Sequence, residues 1–166
     1  MPSAKSFRPD PKLDLVLERV VDVRPQLVWA CWTEPRHLKK WFTPAPWKTV
    51  EAKVDLRPGG QFYFVMESPE GQRFPNTGCL LEVVKNERLT WTNALLPGYR
   101  PAAVGSGEMD FPFTATILIQ KAGKGTKYTA IARHRNEPDV AKHAKMGFHE
   151  GWGKALEQLV AVAKKI

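Results

Sequence analysis

The chain has 166 residues, 43% of them hydrophobic and 25% charged, with a formal net charge of +8. That length gives one domain with a buried core, and the composition is ordinary globular usage rather than that of a disordered chain. No apolar run reaches the ~20 residues that a bilayer-spanning helix needs, and the opening stretch MPSAKSFRPDPK has no apolar signal-peptide segment. Residues 1–60 carry about +4, 61–120 about −2 and 121–166 about +6, with acidic residues interspersed throughout. Basic residues do not alternate with exposed aromatics on any one strand, so no specific nucleic-acid partner is expected. The cysteines, Cys31 and Cys79, sit in apolar segments without metal-ligand spacing. They read as reduced core thiols of a cytoplasmic protein.

Taken in chain order, residues 1–12 form a flexible lead-in, and the domain proper runs from 13 to 166. LDLVLERVV (13–21) alternates, with Leu13, Leu15, Leu17 and Val21 on one face, as a half-buried strand does. Pro25 suits the first turn of a helix carrying Leu27, Val28, Cys31 and Trp32 at helical spacing. Thr33-Glu34-Pro35 ends it, because the residue before a proline avoids the α region, and PRHLKKWF forms a second short turn. From residue 47 the period becomes two. WKTVEAKVDL and QFYFVME flank a turn at RPGG, NTGCLLEVV and RLTWTNAL one at Lys85-Asn86, and FTATILIQ and TKYTAIARH one at AGKG. These are the strands of an antiparallel meander. The connection PGYRPAAVGSGEMDF (97–111) is too long for a plain hairpin, a length that marks a functional loop. From Pro138 to Ile166 the pattern predicts a single long helix whose apolar stripe includes Phe148, Trp152, Leu156 and Leu159. The order is β-α-β6-α: an α+β fold in which a curved antiparallel sheet packs on one long C-terminal helix.

Several stretches then resemble a known family. VWACWTEPRHLKKWFTP (28–44), DLRPGGQFYFVME (55–67), EGQRFPNTGCLLEVVKNERLTW (70–91), GKGTKYT (123–129) and GWGKALEQL (151–159) are similar to the motifs of SRPBCC, or START-like, proteins. The similar subgroup is the one related to the C-terminal domain of the heat-shock-protein-90 ATPase activator. The resemblance implies the helix-grip fold, with a deep cavity between the bent sheet and the C-terminal helix. Family members hold lipids, polyketides or other apolar molecules there; a few are cyclases or hydrolases, and some domains bind a chaperone. The motifs themselves read as structural, Gly59-Gly60 serving a turn and Trp152 anchoring the helix.

Strand parity nominates the cavity wall. The inward set includes Arg19, then Phe62, Phe64 and Met66, then Leu81 and Val83, Trp91 and Asn93, Phe113, and Tyr128 and His134. Apolar walls with a few polar groups are how ligand sites are built. Each polar member also has a structural alternative. Arg19 can snorkel or pair with a carboxylate, Asn93 can satisfy the backbone of the following loop, and Tyr128 can bury its ring with its hydroxyl at the rim. His134 can lie at the surface. His149, flanked by Gly147 and Gly151, is placed at the cavity mouth. Trp41 and Phe42, together with the 97–111 loop and its Tyr99, are expected to form a lid, while at least one of Trp29 and Trp32 packs in the core.

Motif chemistry is sparse. His134, His143 and His149 have no zincin or Cys/His spacing, so no metal or other cofactor is expected. There is no G-x-S-x-G and no paired carboxylate on the inner face. If there is catalysis, His134, His149 or Tyr128 would act as acid or base. The leading expectation is a cytoplasmic, non-enzymatic binding protein for a small lipid- or polyketide-like molecule, not inserted in a membrane. An enzyme acting on such a molecule and a chaperone-contacting module are the alternatives. An exposed edge strand would allow a homodimer.

Overall fold

The computed structural model describes residues 8–104 and 110–166. Most of the expected lead-in therefore lies outside the described residues; at its end, Asp10 accepts the backbone N–H groups of Leu13 and Asp14 in a turn. Strand β1 (Asp14–Val21) follows, then α1 (Pro25–Thr33) and α2 (Pro35–Trp41). Both helices carry proline in their first turn, where the missing N–H costs nothing. Glu34 between them is extended (φ −100°, ψ 117°), as a residue preceding proline must be.

The sheet strands continue with β2 (Lys48–Val54), β3 (Gln61–Glu67), β4 (Arg73–Val84) and β5 (Arg88–Thr92). After a two-stranded hairpin of β6 (Leu95–Leu96) and β7 (Arg100–Pro101) come β8 (Phe113–Ala122) and β9 (Gly125–His134). The long 97–111 connection is thus partly a hairpin of its own. Seven strands form one antiparallel sheet in the order β1-β9-β8-β5-β4-β3-β2. β1 and β2 are its edges, and the α1–α2 pair carries the chain from one edge to the other, packing on β2, β8 and β9. The β2–β3 turn explains the D-L-R-P-G-G run. Gly59 has φ +81°, its N–H donates to Leu80 O at 2.6 Å, and a Cβ on Gly60 would stand 2.0 Å from Asp55 O. That motif is backbone architecture tying the β2–β3 turn to β4.

Two expectations about elements change. Leu80, not Leu81, is fully buried, because the β4–β5 register shifts between Leu80 and Glu82. The extra residue resets the parity, so Leu80 and Val83 both serve the core while Glu82 pairs outward with Arg88. The single C-terminal helix is also two: α3 (Glu137–Lys145), capped by the Asn136 side chain accepting from Asp139 N, and α4 (Phe148–Ala163). Gly147 at φ +89° separates them, a left-handed conformation that closes one helix and re-aims the next.

The core lies between the sheet, α1 and α4. Phe62, Leu80, Leu89, Ile117, Val28, Leu156 and Leu159 are all sealed from solvent. Each such side chain contributes roughly 1.5–3 kcal/mol by burial. This is the helix-grip arrangement, an α+β fold with α4 held in the concave face of the sheet.

Candidate functional site

A cavity of about 620 Å³ opens between the concave face of the sheet and the first half of α4. Its wall comes from four places. Strands β3, β4, β5, β8 and β9 supply Phe64, Met66, Phe74, Asn76, Trp91, Phe113 and Tyr128, and Asn93 follows directly after β5. The α1–α2 segment and the residues after it supply Trp32, Trp41, Phe42, Thr43 and Pro44. Phe111 enters from the residue pair before β8, and α3–α4 contribute His143, Met146, Gly147, Phe148, Gly151, Trp152 and Ala155. None of these side chains is a lysine, arginine, aspartate or glutamate. The rings form a continuous network: Trp32 meets Trp41 at 5.0 Å, Phe42 meets Phe64 at 4.7 Å, and Phe62 stacks on Trp91 at 4.9 Å.

The wall is held rigidly by hydrogen bonds that run behind it. Trp41 Nε1 donates to Cys31 O at 2.9 Å, and the Gln158 amide donates to both Trp41 O and Thr43 O at 2.9 Å. Gln158 also accepts the Ala45 N–H, so α4 clasps the whole 41–45 segment. Asn93 spends its side chain on the backbone, accepting from Phe113 N at 2.9 Å and donating to Phe111 O at 3.1 Å. Trp32 Nε1 donates to the Tyr128 hydroxyl at 3.1 Å, and burial, only partly offset by that bond, pushes the Tyr128 phenol well above its ordinary range. Tyr128 is therefore a neutral phenol. Burial, helped by Glu34, pushes the Cys31 thiol up to about 12, which makes it inert; Cys31 and Cys79 are both free and buried.

At one end of the cavity two imidazoles meet. His134 Nε2 lies 2.8 Å from His143 Nδ1, and His134 Nδ1 lies 2.9 Å from Leu13 O. The His143 ring is enclosed by Phe113 at 5.0 Å, Phe111 at 5.1 Å, Phe148 at 5.2 Å and Trp152 at 5.9 Å. Burial in that cage, and secondarily the neighbouring His134, lowers the pKa of His143 to about 4. His143 is neutral at physiological pH. Among the described residues no three His, Cys, Asp or Glu side chains converge on a point that could hold a metal.

Of the residues nominated by parity, Phe64, Met66, Trp91, Asn93, Phe113 and Tyr128 border the cavity, as do Trp41 and Phe42, expected there as a lid. Leu81 and Val83 do not, and five further expected residues stand elsewhere. Phe62 lies behind the wall, sealed between Trp32 and Trp91. Arg19 passes over α4, where Gly153 leaves room for its guanidinium, and pairs with Glu157 at 3.9 Å on the outside. Its charge keeps its head in water. His134 is buried but stands one ring behind His143. His149 is exposed, since the helix break rotates it away from the sheet and leaves Gly147 and Gly151 on the cavity. Tyr99, half exposed at φ +63°, rests on Gly59 away from the cavity, so it is no lid. Trp41 is inside the wall, 3% exposed, and the exposed lip is formed by Phe74 and Met146 instead. Part of the lid expected over 97–111 falls on 105–109, outside the described residues.

Sequence reasoning missed His143, Phe111, Phe74, Asn76 and Met146 as wall residues. The usable signal was the pairing of an inward histidine at the end of β9 with a second histidine nine residues on, beside Phe148 and Trp152.

Residues 22–164 match the model of the family described as activator of Hsp90 ATPase homolog 1-like protein. The chain belongs to this family. It is a START-like, SRPBCC-type family, in agreement with the motifs read from the sequence. A protein from Nitrosomonas europaea is 48% identical, with a TM-score of 0.88 over 95% of this chain and 97% of its own. A protein from Arthrobacter aurescens, 24% identical, superposes with a TM-score of 0.79 over 96% of this chain and 91% of its own. One from Mycobacterium smegmatis, 20% identical, does so with a TM-score of 0.73 over 91% and 90%. The last two share the fold. No match was found among curated proteins.

Proposed function

We propose that this family member binds a small apolar molecule in the cavity between sheet and α4, as a cytoplasmic carrier, sensor or store rather than an enzyme. The observation that carries the reading is the wall itself: about 620 Å³ enclosed by aromatic side chains and no ionised group. Ligand pockets of that kind typically measure ~300–1,000 Å³ and orient their occupant through a few polar atoms. The free, buried thiols support a reducing compartment. Among the described residues no helix is long and apolar enough to cross a membrane.

The hydrogen-bonded His134–His143 pair supports a second reading, in which His143 takes a proton from the bound molecule. A conjugate acid near pH 4 makes His143 a weak base at neutral pH, far from the match that efficient proton transfer needs. Binding is the stronger reading.

Native mass spectrometry of the freshly purified protein, with and without added phenylnaphthylamine, tests it. The expected result is either a co-purifying adduct lost on denaturation or one-to-one uptake of the probe. A protein that is apo as purified and takes up none of the probe would overturn the reading in favour of a protein-interaction module.

A further inference from the structure

The buried side chains of α3 are polar: Asp139 and His143. Asp139 is held from within its own segment, by Arg135 at 2.6 Å and Lys142 at 3.7 Å, so it fixes the start of the helix rather than its place on the sheet. His143 reaches across. Its Nδ1 lies 2.8 Å from His134 Nε2 at the end of β9, and its ring fills the cage of Phe111, Phe113, Phe148 and Trp152. Leu13 O can only accept, so His134 Nδ1 carries a proton, and in the neutral pair His134 Nε2 accepts from His143 Nδ1. One further proton puts a charge into an apolar enclosure, and a second sets two N–H groups against each other. The charged neighbours leave that cost standing. On β9 Arg135 engages Asp139, and Arg133 pairs with Asp14 of β1 at 3.9 Å. Lys142 and Lys145 of α3 add positive charge, while His149 and Glu150 of α4 and Asp110 before β8 are exposed. The partners of the ring nitrogens are each other and Leu13 O, with no carboxylate among them.

We propose that α3 is a hinged end wall of the cavity, held shut by the His134–His143 pair and released when that pair takes up a proton. His143, Met146 and Gly147 all border the cavity, so α3 leaving β9 opens it at that end. Gly147, at φ +89°, is the hinge: the chain turns there, and α4 stays seated through Leu156 and Leu159 while α3 moves. Once off the sheet, the 9 residues of α3 are too few to stay helical in water, so the released segment unwinds. The open segment binds its proton near the ordinary histidine value of 6.5, whereas the closed one holds the His143 pKa at about 4. Acid therefore favours opening, and the effect sets in as pH falls through 6.5. That the opening admits a ligand rests on reading the cavity as a small-molecule site; the release of α3 does not.

Hydrogen exchange read by mass spectrometry on the full chain tests the release, at pH 7, 6 and 5 and corrected for the intrinsic pH dependence of exchange. Opening of 137–146 is expected to rise about threefold from pH 7 to pH 6 and about twentyfold from pH 7 to pH 5, with 155–163 unchanged. In His143→Phe, which keeps a ring in the cage and takes up no proton, the rise should be absent. Opening of 137–146 that does not change with pH overturns the proposal, as does a rise undiminished in His143→Phe. Loss of protection in α3 and α4 together is global unfolding and overturns it too. If His143→Phe does not fold, an NMR titration of the wild-type histidines decides: His143 is expected to titrate near pH 4, and titration at 6.5 or above overturns the latch. Uptake of phenylnaphthylamine, uncharged across this range, should speed up about threefold between pH 7 and pH 6 in stopped-flow fluorescence. Unchanged uptake beside faster α3 exchange overturns the role as an entry, whereas no uptake at all overturns the binding reading and leaves the release of α3 standing.

Discussion

The two halves of α4 meet the same concave sheet, and they leave different things behind. Over its last two turns Leu156, Leu159 and Ala163 are buried without remainder, with α1 and β1 packed against the helix. Over its first two turns Gly147, Gly151, Trp152 and Ala155 border a void. Periodicity is equally good in both halves. What differs is where the volume goes: Phe148 and Trp152 close around the His143 ring, while Gly147 and Gly151 present no side chain to the void, and the Gly147 break sets where the helix starts. The cavity lies beside the two glycines of the helix, and its wall is held by hydrogen bonds that run behind it.

The largest expected effect tests the packed half. Leu159→Ala, at a fully buried position, should lower unfolding stability by about 3–4 kcal/mol, since the hole it leaves is enclosed. Met66→Ala, at the edge of the existing void, should cost about 1 kcal/mol, because one side of Met66 already lacks neighbours. Urea denaturation of both variants measures the difference, and equal losses would erase the distinction between the halves.

Acid comes next. The His143 pKa is lowered to about 4 when folded, while the unfolded chain binds that proton near 6.5. Between those values the unfolded state holds more protons, so stability rises with pH there. The contribution is complete above pH 6.5 and is lost as pH falls towards 4, roughly 3 kcal/mol across the window. The groups around the ring are His134 and four aromatic side chains, while Asp139, one turn earlier, is already engaged by Arg135 and Lys142. Denaturation midpoints at pH 7 and pH 4.5 should therefore diverge less in His143→Phe than in the wild type.

The smallest effect on stability sharpens the open half. A Cβ at Gly151 would meet only Pro44, at 3.9 Å, so Gly151→Ala fits without strain and should gain up to about 1 kcal/mol from helix propensity. Gly151→Leu would project into the cavity instead. It should fold with near wild-type stability and lose phenylnaphthylamine uptake. Retained uptake in Gly151→Leu would mean that the probe sits elsewhere.

Most of the architecture was legible in the chain. Alternation fixed the strands and their inner faces, Pro25 and Pro35 fixed two helix starts, and turn residues such as Gly59, Asn86 and Gly123 marked the hairpins. The failures are as specific. The extra residue at Leu81 shifts a parity that looks unbroken on paper, and Gly147, inside the single helix expected over 138–166, divides two. Position alone places Arg19 inward and His149 at the cavity mouth, whereas Arg19 runs over Gly153 to solvent and His149 is exposed on α4.

The sequence by itself determined the α+β class, the strand order along the chain, the family and eight residues of the cavity wall, because those follow from local period and motif. Only the tertiary structure decided where the void lies, which rings close it, and that His134 Nε2 meets His143 Nδ1. Those depend on distances between α4 and the sheet, which are set by the summed volumes of side chains far apart in the chain. No local pattern encodes that sum.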